Sequence, residues 1–170
     1  MGQKKLSLRE ATVEDIHQFA MIKAKAYSED REKTKPMPGQ IPEWYDGEWY
    51  VGLGIVDEVE AKRLIENEDC YIIILEQVPI GIFWLHKEEK DSYSLEDFCI
   101  LPEYQGKGYG SETLTLIEQL HPNNHKWMLS TPEFCTRNRY LYEKMGYQMV
   151  GTCSKGTVIL YEKEIYHEIK

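Results

Sequence analysis

Apolar residues along this chain fall into two rhythms. At residues 6–9 they alternate with polar ones, the period of a short strand with one buried face. From Val13 the spacing changes. Val13, Ile16, Phe19, Ala20 and Tyr27 recur at helical intervals, which predicts a first helix to about Ser28. Thr12-x-x-Asp15 opens it as a capping box with Asp in place of Glu or Gln. Val59, Leu64 and Ile65 among the charges of 57–67 predict a short surface helix capped by Asp57. Two nearly continuous apolar runs follow, at 70–76 and 80–86, with Gln77-Val78-Pro79 as the turn between them; such runs belong to buried sheet positions. Residues 94–101 read as a fourth strand and 126–130 as a fifth. Leu114, Ile117 and Leu120 mark a helix from Tyr109 that must stop near Pro122. A further helix at 136–145 ends at Gly146 as a left-handed cap, and strands at 147–151 and 157–163 pair across a loop containing Gly156.

Residues 29–54 break both rhythms. A charged run leads to Pro36, Pro38 and Pro42, and then Trp44, Tyr45, Trp49 and Tyr50 stand among glycines. So many breakers exclude a long element, and so many aromatics exclude a disordered linker. An ordered loop is expected, with two uses open. Trp44, Tyr45 and Trp49 would form an aromatic wall for a substrate, whose ammonium group is attracted to ring faces. The alternative is a lid on the core, or a contact between two copies of the chain in a homodimer.

At 170 residues, with 42% hydrophobic and 29% charged positions, the chain reads as one globular domain, 1–170, with no internal repeat or second-domain linker. No apolar run reaches the length of a membrane span and the first residues carry no apolar signal core, so no membrane partner and a cytoplasmic location are expected. Gly2 suggests a lipid anchor, but Leu6 stands where Ser or Thr is required. The net charge of −9 disfavours nucleic acid as a partner and favours cationic amines. The four cysteines show no C-x-x-C pair and read as reduced thiols. His121 and His125 have the spacing of a metal pair, but Pro122 interrupts any helix between them, and no metal is expected.

The stretch 101–110, LPEYQGKGYG, joins a strand to a helix with Gly106, Gly108 and Gly110 at every second position. Glycines there allow positive φ and close approach of a ligand, and the N–H groups and dipole of a helix starting at Tyr109 converge on the same point. That is an anion site. Lys107 adds a positive charge at its mouth. A strand-to-helix turn without a ligand would also favour glycine. The dinucleotide fingerprint is excluded by register, since Ser111 occupies the place of its third glycine, and Lys107 lacks the frame of a nucleoside-triphosphate loop.

Gln105, Gly106, Lys107, Gly108, Tyr109 and Gly110 complete the pattern [QR]-x-x-G-x-[GA], and in this context the stretch resembles the coenzyme A loop of the GNAT N-acetyltransferase superfamily. The longer run LEDFCILPEYQGKGYGSETL is similar to that of the spermidine/spermine N-acetyltransferases. The resemblance implies an α/β fold, a three-layer domain on a mixed sheet whose central strands splay apart, and the element order above is the family's. It also implies that acetyl-CoA is bound by the loop residues Gln105 to Gly110, by Ser111 at the helix start, and by the backbone of Phe98, Ile100 and Leu101, with coenzyme A released as product.

An acetyl acceptor must lose a proton first. Holding an alkylamine neutral at pH 7 costs about 4–5 kcal/mol. The resemblance makes Glu96, in L-E-D-F, the general base acting through a water. A regular strand would point Asp97 to the opposite face, so only one of the two faces the acceptor unless a bulge intervenes. LYEKMGY is similar to the family's [LF]-Y-x-[KR]-x-G-[FY], which makes Tyr142 the acid that protonates the departing thiolate. Seven residues before Tyr142 the family usually has Asn; here Cys135 stands there, and Asn138, one turn before Tyr142, is the candidate replacement for that coenzyme contact. The implied function is direct acetyl transfer to a small-molecule amine. A polyamine is the first choice, while an aminoglycoside, an amino acid, a protein N-terminus, or coenzyme binding without catalysis remain open.

Overall fold

The computed structural model describes residues 4–34, 55–89, 91–153 and 156–166, with side chains of 29–34 left aside. Trp44, Tyr45 and Trp49, the expected aromatic wall, lie outside the described residues. Strands β1 (Leu6–Glu10), β2 (Asp69–Leu75), β3 (Val78–Lys87), β4 (Ser92–Ile100), β5 (Lys126–Pro132), β6 (Gln148–Cys153) and β7 (Val158–Glu164) form one seven-stranded sheet in the order β1-β2-β3-β4-β5-β7-β6. The described α-helices are α1 (Ile16–Thr34), α2 (Glu58–Asn67), α3 (Tyr109–Leu120) and α4 (Thr136–Lys144), in the order expected from the sequence, with 3-10 turns at Val13–Asp15 and Pro102–Tyr104.

Alternation within the strands builds two apolar layers. In β2, Cys70 and Ile72 face Phe19, Ala20 and Ile22 of α1 and Ala61 and Leu64 of α2. Ile73 and Leu75 face the other way, into a core holding Phe83, Leu95, Leu114 and Ile117 of α3, Trp127 and Tyr161. Phe19, Ile72, Ile73, Phe83, Leu114 and Ile117 are fully shielded, and burying such a side chain stabilises the fold by roughly 1.5–3 kcal/mol. The result is a sheet between two helical layers.

Two boundaries differ from the sequence reading. The helix expected to end at Ser28 continues to Thr34, because the charged residues that follow are good helix formers, and the chain remains helical until shortly before Pro36. The β2–β3 turn is Glu76-Gln77 rather than Gln77-Val78-Pro79. Both residues take positive φ, 48° and 75°, in a tight two-residue hairpin closed by the Leu75–Val78 pair, and Pro79 lies inside β3. The expected capping box is present: the Asp15 carboxylate accepts the Thr12 N–H at 2.8 Å, and the Thr12 hydroxyl lies 3.3 Å from the same carboxylate.

One feature of the sheet positions the site. All strand pairs are antiparallel except β4 and β5, which run parallel from Ser92–Lys126 to Leu95–Leu129 and then part. Among the described residues, no strand pairs with the β5-facing backbone of β4 beyond Leu95.

Candidate active site

The gap where β4 and β5 part is lined on two sides. On the α1–α2 side is a cavity of about 340 Å³, bounded by Lys23 of α1, Glu60 of α2, Glu96 and Asp97 of β4, Thr131 of β5 and Cys135. On the other side is a groove of about 370 Å³, lined by Phe98, Ile100, Gln105, Gly106, Gly108, Gly110 and Ser111. Tyr27, Phe98, Asn138 and Tyr142 line both. The two spaces therefore meet at Tyr142.

The groove has the form of an anion cradle. Gly108 caps α3 with a φ of 87°, Gly106 takes 71°, and a Cβ on either would enter open space. These are backbone conformations that favour glycine, with clear room above them for a ligand. Gly110 has a different role: a Cβ there would come within 3.0 Å of the Leu141 side chain, so this glycine lets α3 and α4 approach. The Gln105 side chain donates to the Ile100 carbonyl at 2.7 Å and braces the loop against β4. Arg137 and Lys144 of α4 also line the groove, two cations that the loop motif did not point to.

Three of the expected coenzyme residues do not line the groove with their side chains. The Lys107 ammonium folds back to the Glu103 carbonyl at 2.8 Å, over the Tyr104 ring, and does not line the groove. Leu101 turns into the α1–α2 core and its N–H donates to the Ile80 carbonyl at 2.8 Å. Tyr109 packs against the opposite core.

The bulge left open by the sequence is present. Glu96 pairs with Trp84 and Cys99 with Ile82, so Asp97 and Phe98 stand opposite Phe83 alone. Asp97 takes the left-handed φ of 48°. Glu96, Asp97 and Phe98 consequently all reach the cavity, which strict alternation would forbid. Burial raises the Glu96 pKa above the ordinary carboxylate value and the Asp97 charge adds to this, while the Ser94 hydroxyl opposes it. Tyr142 is buried, and desolvation together with nearby Cys135, Cys99 and Glu96 pushes its phenol well above its usual range. It stays protonated at any physiological pH. Asn138 donates to the Thr131 hydroxyl at 3.3 Å, bridging α4 to β5 across the head of the gap.

Lys23 escaped the sequence reading. It lies on the same stripe of α1 as Phe19, Ala20 and Ala24, and a lone cation in an apolar stripe was the available signal. No pattern pointed to Thr131 or Trp84.

A model of the acetyltransferase (GNAT) family matches residues 27–147, from the end of α1 through both sides of the gap to the cap of α4. The chain belongs to the acetyltransferase (GNAT) family. It is an acyltransferase that uses acetyl-CoA, and the glycine cradle fits that cosubstrate. The fold has many solved counterparts. The PaiA N-acetyltransferase of Thermoplasma acidophilum, in complex with coenzyme A, is 18% identical over 95% of this chain and 99% of its own, with a TM-score of 0.69. A GNAT acetyltransferase of Streptococcus agalactiae reaches 0.75 at 16% identity, covering 95% and 96%. RimL, a ribosomal alpha-N-protein acetyltransferase in complex with coenzyme A, reaches 0.70 at 12% identity, covering 94% of each chain. At these identities the likeness establishes the fold alone. No curated protein matches the sequence. Among the described residues, no group of His, Cys, Asp and Glu could hold a metal, and no helix is long and apolar enough to cross a membrane.

Proposed function

We propose that this acetyltransferase moves the acetyl group directly to a primary amine of a small, cationic, polyamine-like molecule in the cytoplasm. The observation that carries the reading is the meeting of two spaces at Tyr142, one beside the glycine cradle and one walled by Glu96. Among the described residues, four carboxylates, Asp57, Glu60, Glu96 and Asp97, and one ammonium, Lys23, line the acceptor cavity. Such a cavity attracts an alkylammonium ion.

The protonated amine must become a nucleophile. Glu96, held in a desolvated position with a raised pKa, takes the proton, directly or through a water, and its raised affinity for protons narrows the gap to the amine. Attack on the acetyl carbonyl forms the amide bond and breaks the carbon–sulfur bond; the leaving thiolate accepts a hydrogen bond from Tyr142, and the proton lost by the attacking nitrogen passes through the phenol to the sulfur, so that Tyr142 ends protonated as it began. Because burial raises the phenol pKa, Tyr142 acts first as a donor that stabilises the thiolate. Phe98 and Asn138, which line both spaces, separate donor from acceptor.

The test is turnover of acetyl-CoA with a panel of diamines, polyamines, aminoglycosides and amino acids, read as released thiol. Polyamines are expected to give the highest kcat/KM, and Tyr142→Phe to cut kcat at least tenfold. An unchanged rate in Tyr142→Phe would remove it from the chemistry, and preference for a zwitterionic amino acid would overturn the acceptor class.

A further inference from the structure

The bulge in β4 is held by a side-chain cluster whose purpose the transfer mechanism leaves open. The Asp97 Oδ2 atom accepts from the Lys23 ammonium at 2.7 Å and from the Trp84 indole N–H at 2.8 Å. Trp84 is also the residue directly opposite Glu96 in the β3–β4 ladder. One neighbour thus grips both the backbone position of Glu96 and the side chain of the residue after it. Lys23 comes from α1, the helix that forms the far wall of the acceptor cavity. Asp97 meanwhile occupies a left-handed conformation, φ 48°, that few residues other than glycine adopt. A structural cross-link between α1 and the sheet has no need of such a position; here it coincides with the extra residue of the bulge, which follows directly on Glu96 and reverses the phase of the strand beyond it.

We infer that Asp97 is a positioning residue of the transfer reaction: gripped by Lys23 and Trp84, its carboxylate pins the bulge that lets Glu96 face the acceptor cavity while Phe98 and Ile100 beyond it line the coenzyme groove. This rests on the role proposed for Glu96. Without the grip, β4 can relax toward regular alternation, in which Glu96 and Phe98 share one face, so that the strand loses its phase either at the acceptor cavity or along the coenzyme groove. The same carboxylate is a like charge beside Glu96 and favours its protonated form, as does Glu88, whereas His86 and Ser94 disfavour it. Of the helical groups, Lys23 and Glu60 line the same cavity, and Tyr142 closes it.

Three variants separate these effects. D97G accepts the left-handed backbone but removes both grips; kcat is expected to fall at least about tenfold while KM for acetyl-CoA stays within about twofold. K23M should move kcat in the same direction by less. D97N keeps the shape, the tolerance for positive φ and a partner for Trp84, and is expected to recover much of the loss. Its second readout is the carboxyl titration of Glu96, followed by NMR in protein carrying labelled glutamate and assigned with E96Q. Loss of the neighbouring negative charge, and release of Lys23 from its partner, both favour the Glu96 carboxylate, so the midpoint should move to lower pH. Wild-type kcat in D97G overturns the proposal. If D97G fails to fold, wild-type kcat in K23M overturns it instead. The titration needs no acceptor, so absence of turnover with every amine would fail the proposed function while leaving the effect of Asp97 on Glu96 measurable.

Discussion

The N–H of Tyr147 donates to the carbonyl of Tyr142 at 3.0 Å, and the two rings lie 6.1 Å apart. With the Gly146 N–H on the Glu143 carbonyl at 3.1 Å, this is the doubly bonded left-handed cap that ends α4. The helix therefore stops one turn past the residue proposed as acid, and the stop fixes that residue's backbone and one side of its ring.

Gly146→Ala tests the cap. Gly146 takes a φ of 92°, and although a Cβ would meet only the end of the Lys163 side chain at 3.6 Å, the conformation is strained for alanine. A loss of about 1 kcal/mol in urea denaturation is expected. If the cap also positions Tyr142, kcat falls further than the change in stability accounts for.

Glu96→Gln removes the proposed base while keeping its size. The wild-type kcat/KM should fall as pH drops through the pKa of Glu96, because the carboxylate is the active form, and that acid limb should lie above the ordinary carboxylate range of about 4.3. The variant is expected to lose about 10²-fold in rate. Its remaining activity should lack the acid limb, which a pH–rate profile resolves.

Gly108→Ala addresses the cradle. The new Cβ would occupy open space at the start of α3 in a backbone conformation of φ 87°. Calorimetry should show coenzyme A affinity reduced about tenfold or more, with kcat at saturation much less affected.

Gly81→Ala acts on the opposite edge of β4. Its Cβ would sit 2.4 Å from the Cys99 carbonyl oxygen, a backbone atom that cannot move without shifting the strand. A destabilisation of about 2 kcal/mol or more is expected, together with weaker coenzyme binding, since Cys99 and Ile100 line the groove.

Asp15 governs acid stability. Its two hydrogen bonds from Arg9, at 2.8 and 2.9 Å, hold its pKa down to about 2, assisted by the Thr12 N–H and opposed by burial. A depressed carboxyl stabilises the fold above its unfolded pKa of about 3.9 and loses that contribution as pH falls toward 2. Arg9 is half-exposed, so screening limits the effect to about 1–2 kcal/mol. Asp15→Asn should show that deficit at pH 7, and the difference from wild type should shrink toward pH 2.

How far the sequence led depends on which physical signal each residue carried. The sequence reading located every described strand and α-helix, chiefly because a buried face imposes its own spacing, but not the short 3-10 turn Pro102–Tyr104. It missed the extent of α1, where charges form helix without an apolar stripe, and it misplaced the hairpin turn, where Glu76 and Gln77 adopt positive φ without the glycine or asparagine that usually announces it. The glycine loop was legible because Gly106 and Gly108 are used for their lack of a side chain. Lys107, Tyr109 and the Leu101 backbone were implied at the coenzyme by the resemblance, but in a tight loop successive side chains point in different directions, and the Leu101 N–H is taken by the Ile80 carbonyl. The Asp97 bulge was beyond reach, since it depends on Lys23 and Trp84, which lie 74 and 13 residues away and meet it only in the fold.

The parting of β4 and β5 beyond Leu95 and Leu129 leaves an unfinished seam in the interior of the sheet. Any molecule that fills it acts as a missing strand and binds the folded chain alone. Thermodynamic linkage then makes cohesion depend on metabolite supply: at a hundred times its dissociation constant, a ligand adds about 2.7 kcal/mol to the folded state. The lifetime of this protein in a cell should accordingly lengthen and shorten with the acetyl-CoA pool it consumes.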